Sequence, residues 1–122
     1  MDDCLFCKIV NGDVPSKKIY EDDLVIGILD LYPNGEGHTL IIPKKHYTDY
    51  KELPDELVLH INKVMKEVAD KLEEKLHKNS TTFIVNYMDA QVIKHFHQHI
   101  IPGYNQKINK SQDEVYKLMM ED

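Results

Sequence analysis

Three histidines occupy alternate positions in His95-Phe96-His97-Gln98-His99, the stretch of this 122-residue chain richest in chemistry. In an extended strand, period-two geometry turns all three imidazoles to one face and Phe96, Gln98 and Ile100 to the other. Same-face neighbours then lie ~6.6 Å apart and the outer pair ~13 Å apart, so two adjacent rings can share a metal ion but three cannot. The row must divide its labour. A single strand histidine is ordinarily a core or surface residue, but three buried together would cost desolvation with no evident gain. A neutral imidazole, with an ordinary pKa near ~6.5, is mostly unprotonated at pH 7 and suits attack on phosphorus. Such attack would give a nucleotidyl-histidine and split one displacement into two easier ones. Neighbouring imidazoles, if protonated, would offset charge on the phosphate oxygens and donate hydrogen bonds to them.

The second group is Cys4-Leu5-Phe6-Cys7, which holds both cysteines. It has three readings. A redox pair normally follows a strand inside a βαβ unit, whereas this pair opens the chain. Half of a zinc site needs two further ligands, for which His46 and His95 are candidates. Two small buried thiols are the third.

The elements that must carry these groups are legible from patterning. Residues 4–10 read as one or two helical turns ending near Asn11-Gly12, and residues 18–30 as two strands joined by the acidic turn 21–23. Residues 38–42 form a third strand stopped by Pro43, residues 81–87 a fourth and residues 95–101 a fifth. Leu57, Ile61, Val64, Val68, Leu72 and Leu76 recur at three- and four-residue steps and predict one long helix over residues 54–77. Pro54, Asp55 and Glu56 suit its first turn. Ser111 and Glu114 have capping-box spacing before a short terminal helix carrying Val115, Leu118 and Met119. Strands in antiparallel style with one dominant helix make an α+β domain, and a homodimer would bury its spare edge or face.

A formal net charge of −6 argues against sequence-blind binding to a nucleic acid polymer, which needs a basic face, but not against a small nucleotide. Hydrophobic content of 42% and charged content of 30% fit a single soluble globular domain. No apolar run approaches the ~20 residues that span a bilayer, and the acidic start carries no apolar leader segment. With so few cysteines a disulfide scaffold is not expected. The expectation is a cytoplasmic protein with no membrane partner. Asn34-Gly35-Glu36-Gly37 reads as a plain turn, since no Gly-Lys-Ser/Thr follows. His60 and His77 fall on the helix and at its end, where His77 suits the dipole.

Several segments in order resemble the histidine triad (HIT) superfamily, in its Hint-like branch. They are Cys4-Leu5-Phe6-Cys7-Lys8-Ile9-Val10, Gly12-Asp13-Val14-Pro15-Ser16, Tyr20-Glu21-Asp22-Asp23, Asp30-Leu31-Tyr32-Pro33, Gly37-His38-Thr39-Leu40-Ile41-Ile42-Pro43-Lys44-Lys45-His46 and the triad itself. The resemblance implies a HIT-like fold, a sheet of about five antiparallel strands with one long helix, forming a ten-stranded sheet across a homodimer. It implies a domain over residues 2–103 and a C-terminal tail with a short helix over residues 104–122. It also implies cleavage of nucleoside phosphoramidates or related purine nucleotidyl substrates. By position the resemblance implies that His97 is the nucleophile, with His99 and His38 lining the phosphate site. Asp30 would bind the ribose hydroxyls, with Leu5, Phe6, Ile9, Ile28, Leu31 and Leu40 around the purine, and Asn86 and Gln91 near the phosphate. A structural zinc would be held by Cys4, Cys7, His46 and His95.

This chain departs from the family pattern at Ala90-Gln91-Val92, where relatives carry Gly-Gln-Ser/Thr. Val92 cannot donate the hydrogen bond of that hydroxyl. Two other readings stay open: a dinucleoside polyphosphate hydrolase of the Fhit-like branch, and a nucleotide-binding zinc interaction protein with little catalysis.

Overall fold

A computed structural model describes residues 3–121. Met1, Asp2 and Asp122, and with them the expected domain start at residue 2, lie outside the described residues. In chain order the elements are α1 (Leu5–Val10), β1 (Lys18–Glu21), β2 (Val25–Leu29), β3 (Thr39–Pro43), α2 (Asp55–Leu76), β4 (Thr81–Val85), β5 (Gln98–Pro102) and α3 (Gln112–Met120). The five strands form one antiparallel sheet in the order β1-β2-β3-β5-β4. Five antiparallel strands with segregated helices make the fold α+β, as expected. No helix among the described residues is long and apolar enough to cross a membrane.

The centre of the sheet is covered on both faces, which is why β2 and β3 are buried along their whole length. Val25, Leu29, Ile41, Phe96 and Ile100 pack against Ile61, Val64, Val68, Leu72 and Leu76 of α2 and Val115 and Met119 of α3. Ile26, Ile28, Leu40 and Ile42 point the other way, against Phe6 and Ile9 of α1. Alternation along two strands thus feeds two cores, and α1 is a lid of one short helix on the second. The predicted stripe of α2 is buried at every named position, each side chain contributing roughly 1.5–3 kcal/mol.

The helix α2 begins after Pro54, which precedes its first turn. It ends at His77, whose left-handed backbone (φ 56°) turns the Lys78 N–H back onto the Glu73 carbonyl at 3.0 Å. His60 has a further partner: its Nε2 lies 2.7 Å from Asp22, which also accepts from the Tyr20 hydroxyl and the Leu24 and Val25 amides. That knot ties the β1–β2 turn to α2. Ser111 and Glu114 make the expected capping box at α3. That helix belongs to the main core rather than standing apart as a tail, because Val115 and Met119 are fully enclosed there.

Two expected strands are shorter than their patterns, and the first, expected over residues 81–87, ends at Val85. Residues 95–101 were predicted as strand, yet β5 starts only at Gln98. Ladder pairing stops there on both sides, at Ile41 of β3 and Val85 of β4. Two residues beyond Ile41, Pro43 has no N–H to extend the ladder. The chain bends at His95 and finds other partners, the Phe96 N–H donating to Tyr47 O at 2.6 Å.

Gly37 positions His38 and tolerates no side chain. Its φ is +81°, and a Cβ there would lie 2.6 Å from Leu76 Cδ1. Gly37→Ala is expected to cost about 2–3 kcal/mol from backbone strain plus overpacking, read as a lowered urea midpoint at unchanged m value.

Candidate functional site

A cleft of about 420 Å³ opens between α1 and the sheet, lined on its apolar side by Leu5, Phe6, Ile9, Ile28, Leu31 and Leu40. Asp30, Asn86, His97 and His99 line the same cleft. The volume suits one small ligand. Leu31 is largely exposed and stands at the rim. His38 is buried behind His99 and reaches the cleft through it.

Of the expected group, His38 thus stands one layer back, and Gln91 is placed elsewhere altogether. Its side chain is buried and its Nε2 donates to Thr48 O at 2.8 Å, so it braces the loop beside His46 rather than lining the cleft. Val14, Pro15, Ser16, Lys17, Leu29, Tyr32, Val92 and Ile93 also line the cleft, although sequence gave none of them a binding role. Residues 14–16 belong to a motif that was visible, and Tyr32 follows Asp30-Leu31 directly. Lys17 carried no signal. Its Nζ is tethered to Asp113 of α3 at 2.9 Å.

Hydrogen bonds fix the tautomer of each triad imidazole. His97 Nδ1 lies 2.9 Å from His95 O, and a carbonyl only accepts, so Nδ1 carries the hydrogen and Nε2 keeps its lone pair. The Asn34 N–H donates to His38 Nδ1 at 3.1 Å, which leaves the hydrogen of a neutral His38 on Nε2. That Nε2 lies 2.9 Å from His99 Nδ1 and donates to it, so His99 carries its hydrogen on Nε2. His99 Nε2 is buried and has no hydrogen-bond partner. Two adjacent rings of opposite character therefore face one cleft, His97 with a free lone pair and His99 with a free donor. Their centroids are 5.0 Å apart.

Burial is the leading cause that lowers the pKa of His38, His97 and His99, and Asp30 works against all three shifts. At His99 the neighbouring His97 and His38 add to burial, and its pKa falls to about 4. The unfolded chain, with histidines near ~6.5, therefore binds protons that the folded chain refuses as pH falls from about 6.5 towards 4. Stability declines through that window. The melting temperature is expected to be lower at pH 5 than at pH 7.5, with a smaller difference in His99→Asn. An equal difference in that variant would show that the ring does not contribute.

The first triad histidine faces another way. His95 Nε2 donates to Pro43 O at 2.9 Å, so its Nδ1 lone pair points at the cysteines, 3.3 Å from Cys4 Sγ and 3.5 Å from Cys7 Sγ. His46 Nδ1 lies 3.3 Å from Cys7 Sγ. The four donor atoms all fall within 4.8 Å of one another. Zinc bonds of about 2.3 Å to sulfur and 2.0–2.1 Å to nitrogen put tetrahedral S···N edges at ~3.6 Å, within a few tenths of those found. The His95–Pro43 bond supplies the outer support that a ligating histidine needs. Without a cation, burial and then Cys4 hold the Cys7 thiol protonated, with its pKa raised to about 11; a bound divalent cation would reverse that. These residues form a group that can hold a metal ion.

The division of labour along the triad is thus built in: His95 turns to the cysteines, while His97 and His99 serve the cleft. A family model described as the HIT domain matches residues 11–106. An adenylylsulfatase of Arabidopsis thaliana is 41% identical over 102 residues, which make up 82% of this chain and 52% of that protein. An adenosine 5′-monophosphoramidase of Schizosaccharomyces pombe is 36% identical over 108 residues, 85% of this chain and 78% of that protein. A crystal structure of a zinc-bound histidine triad family protein from Mycobacterium smegmatis superposes with a TM-score of 0.88 at 34% identity, covering 97% of this chain and 91% of that one. The sheet, the triad and the match along most of the chain converge on one conclusion: this protein belongs to the HIT domain family.

Proposed function

We propose that this protein is a purine nucleotide hydrolase or nucleotidyltransferase that cleaves nucleoside phosphoramidates or related nucleotidyl substrates through a nucleotidyl-His97 intermediate. The observation that carries the reading is the fixed tautomer of His97, whose Nδ1–H is held by the His95 carbonyl while Nε2 is bare beside the cleft. The purine lies between α1 and the sheet, and the Asp30 carboxylate accepts from the ribose hydroxyls. His97 Nε2 attacks the α-phosphorus in line as the leaving group departs from the opposite side. Positive charge that develops on the His97 ring is held by the Nδ1–H bond to His95 O, and His99 Nε2–H donates to a phosphate oxygen. Water then cleaves the P–N bond and regenerates neutral His97.

Cys4, Cys7, His46 and His95 would hold a structural zinc, whose four protein ligands leave no position for water. When bound, the ion pins α1, which forms the apolar wall of the cleft, to the segment carrying His97. The protein works as a homodimer: β4 is an edge strand that exposes Phe83, and its outer side has no partner among the described residues.

Val92, 93% exposed at the rim of the cleft, favours a second reading in which nucleotide is bound but hardly turned over. Rates on an adenosine phosphoramidate, adenylyl sulfate and a diadenosine polyphosphate separate the cases. The expected result is a kcat/KM about tenfold or more higher on one of the first two than on the third. A preference for the diadenosine compound would move the protein to the other branch. Tight nucleotide binding with no turnover on any of them would leave only a binding role.

A further inference from the structure

The β2–β3 ladder ends at the pair Leu29↔Thr39. One residue further, Asp30 and His38 send their side chains to the site, while the Asp30 N–H still donates to His38 O at 2.9 Å. The Asp30 carbonyl lies beyond the ladder and needs another donor, and the His38 carbonyl keeps a second lone pair to fill. Gln112, the first residue of α3, supplies it. Its Nε2 lies 2.9 Å from Asp30 O and 3.1 Å from His38 O, and an amide NH₂ has one hydrogen for each. Gln112 Oε1 is buried with no partner. Turning the amide over would set that oxygen against two carbonyl oxygens, so the orphaned acceptor is tolerated to keep the nitrogen end on Asp30 and His38.

The frame behind this contact is rigid. Val115 and Met119 lock α3 into the main core. Just before the helix, the Asn109 and Lys110 amides donate to the buried Glu36 carboxylate at 2.7 and 3.1 Å, tying the same segment to the turn that precedes His38. From His38 the chain of bonds runs to His99 Nδ1 and ends at the free Nε2–H in the cleft.

We propose that Gln112 is a positioning residue: its amide clamps the backbones of Asp30 and His38 and thereby aims the His38–His99 pair at the phosphate. The kinetic part of this inference rests on the nucleotidyl-transfer reading above. Gln112 touches neither substrate nor reacting atoms, so its effect falls on kcat more than on nucleotide affinity.

The test compares Gln112→Glu, equal in shape but without the donors, with Gln112→Met, which lacks the added charge, and with Ser111→Ala, which removes the α3 cap and leaves the amide in place. Readouts are kcat, AMP affinity, melting temperature and the imidazole nitrogen NMR signals of His38, His99 and the distant His60. Both Gln112 variants are expected to lower kcat about tenfold with little change in AMP affinity, and to shift the His38 and His99 signals but not those of His60. Ser111→Ala is expected to lower the melting temperature and leave kcat and all these signals alone. Wild-type nitrogen signals in both Gln112 variants, or the same kcat loss and signal shifts in Ser111→Ala, would overturn the proposal. Should the wild type turn over no nucleotidyl substrate, the function reading fails by itself. The nitrogen signals then still decide the role of Gln112.

Discussion

Replacing His97 by alanine is expected to lower kcat by about 10⁴-fold, equivalent to ~5.5 kcal/mol of transition-state stabilisation, with AMP affinity changed only slightly. The size follows from the tautomers, because no neighbour can take over the attack. His99 presents a hydrogen to the cleft rather than a lone pair, and His95 turns its lone pair to the cysteines. AMP affinity survives because the apolar walls come from α1, β2 and β3. His99→Ala removes one donor to the phosphate and is expected to cost less, about 10²–10³-fold in kcat. Single-turnover rates and AMP titrations on both variants check the order. Equal losses would mean that His97 is no more special than its neighbour.

The second large effect concerns the metal group. Cys4→Ser/Cys7→Ser is expected to lose bound zinc, lower the melting temperature by about 10 °C and raise KM more than it lowers kcat. The stability loss stays well below that of a zinc finger, because the main core between the sheet and α2 involves none of the four ligands. KM suffers because Leu5, Phe6 and Ile9 lie in the helix that the cysteines anchor. Metal analysis, a thermal melt and steady-state kinetics on one preparation decide the matter. Metal content equal to that of wild type would remove these cysteines from the ligand set.

Much of this architecture was readable because local pattern and global packing agree. The stripe from Leu57 to Leu76 repeats at helical steps over about five turns, and the capping box at Ser111 is spelled out by two residues. The triad's alternation survives in space although the ladder begins only at Gln98: Phe96 enters the main core while His95 and His97 pack against Phe6 of α1. Pairing itself was illegible there. It stops where two neighbouring strands end, a fact no seven-residue window contains.

The candidate site was read in the same uneven way. Histidine and cysteine types announce their chemistry, so His97, His99, His38 and the Cys4–His95 group stood out. Gln91 attracted attention by its place in a motif, but a long amide can turn either way, and burial against Thr48 decides its direction. Lys17 and Gln112 gave no signal at all. Their roles arise from contacts across long stretches of chain, between α3 and the ends of β1, β2 and β3, that only the assembled fold brings about.

The central claim is tested most directly by trapping the intermediate. The protein is mixed with excess adenosine phosphoramidate, quenched within seconds, and its intact and peptide masses are measured. The expected result is one adenylyl group, mapped to His97 in the wild type and missing from His97→Gln. An adduct on another residue, or undiminished turnover in His97→Gln, would contradict the account.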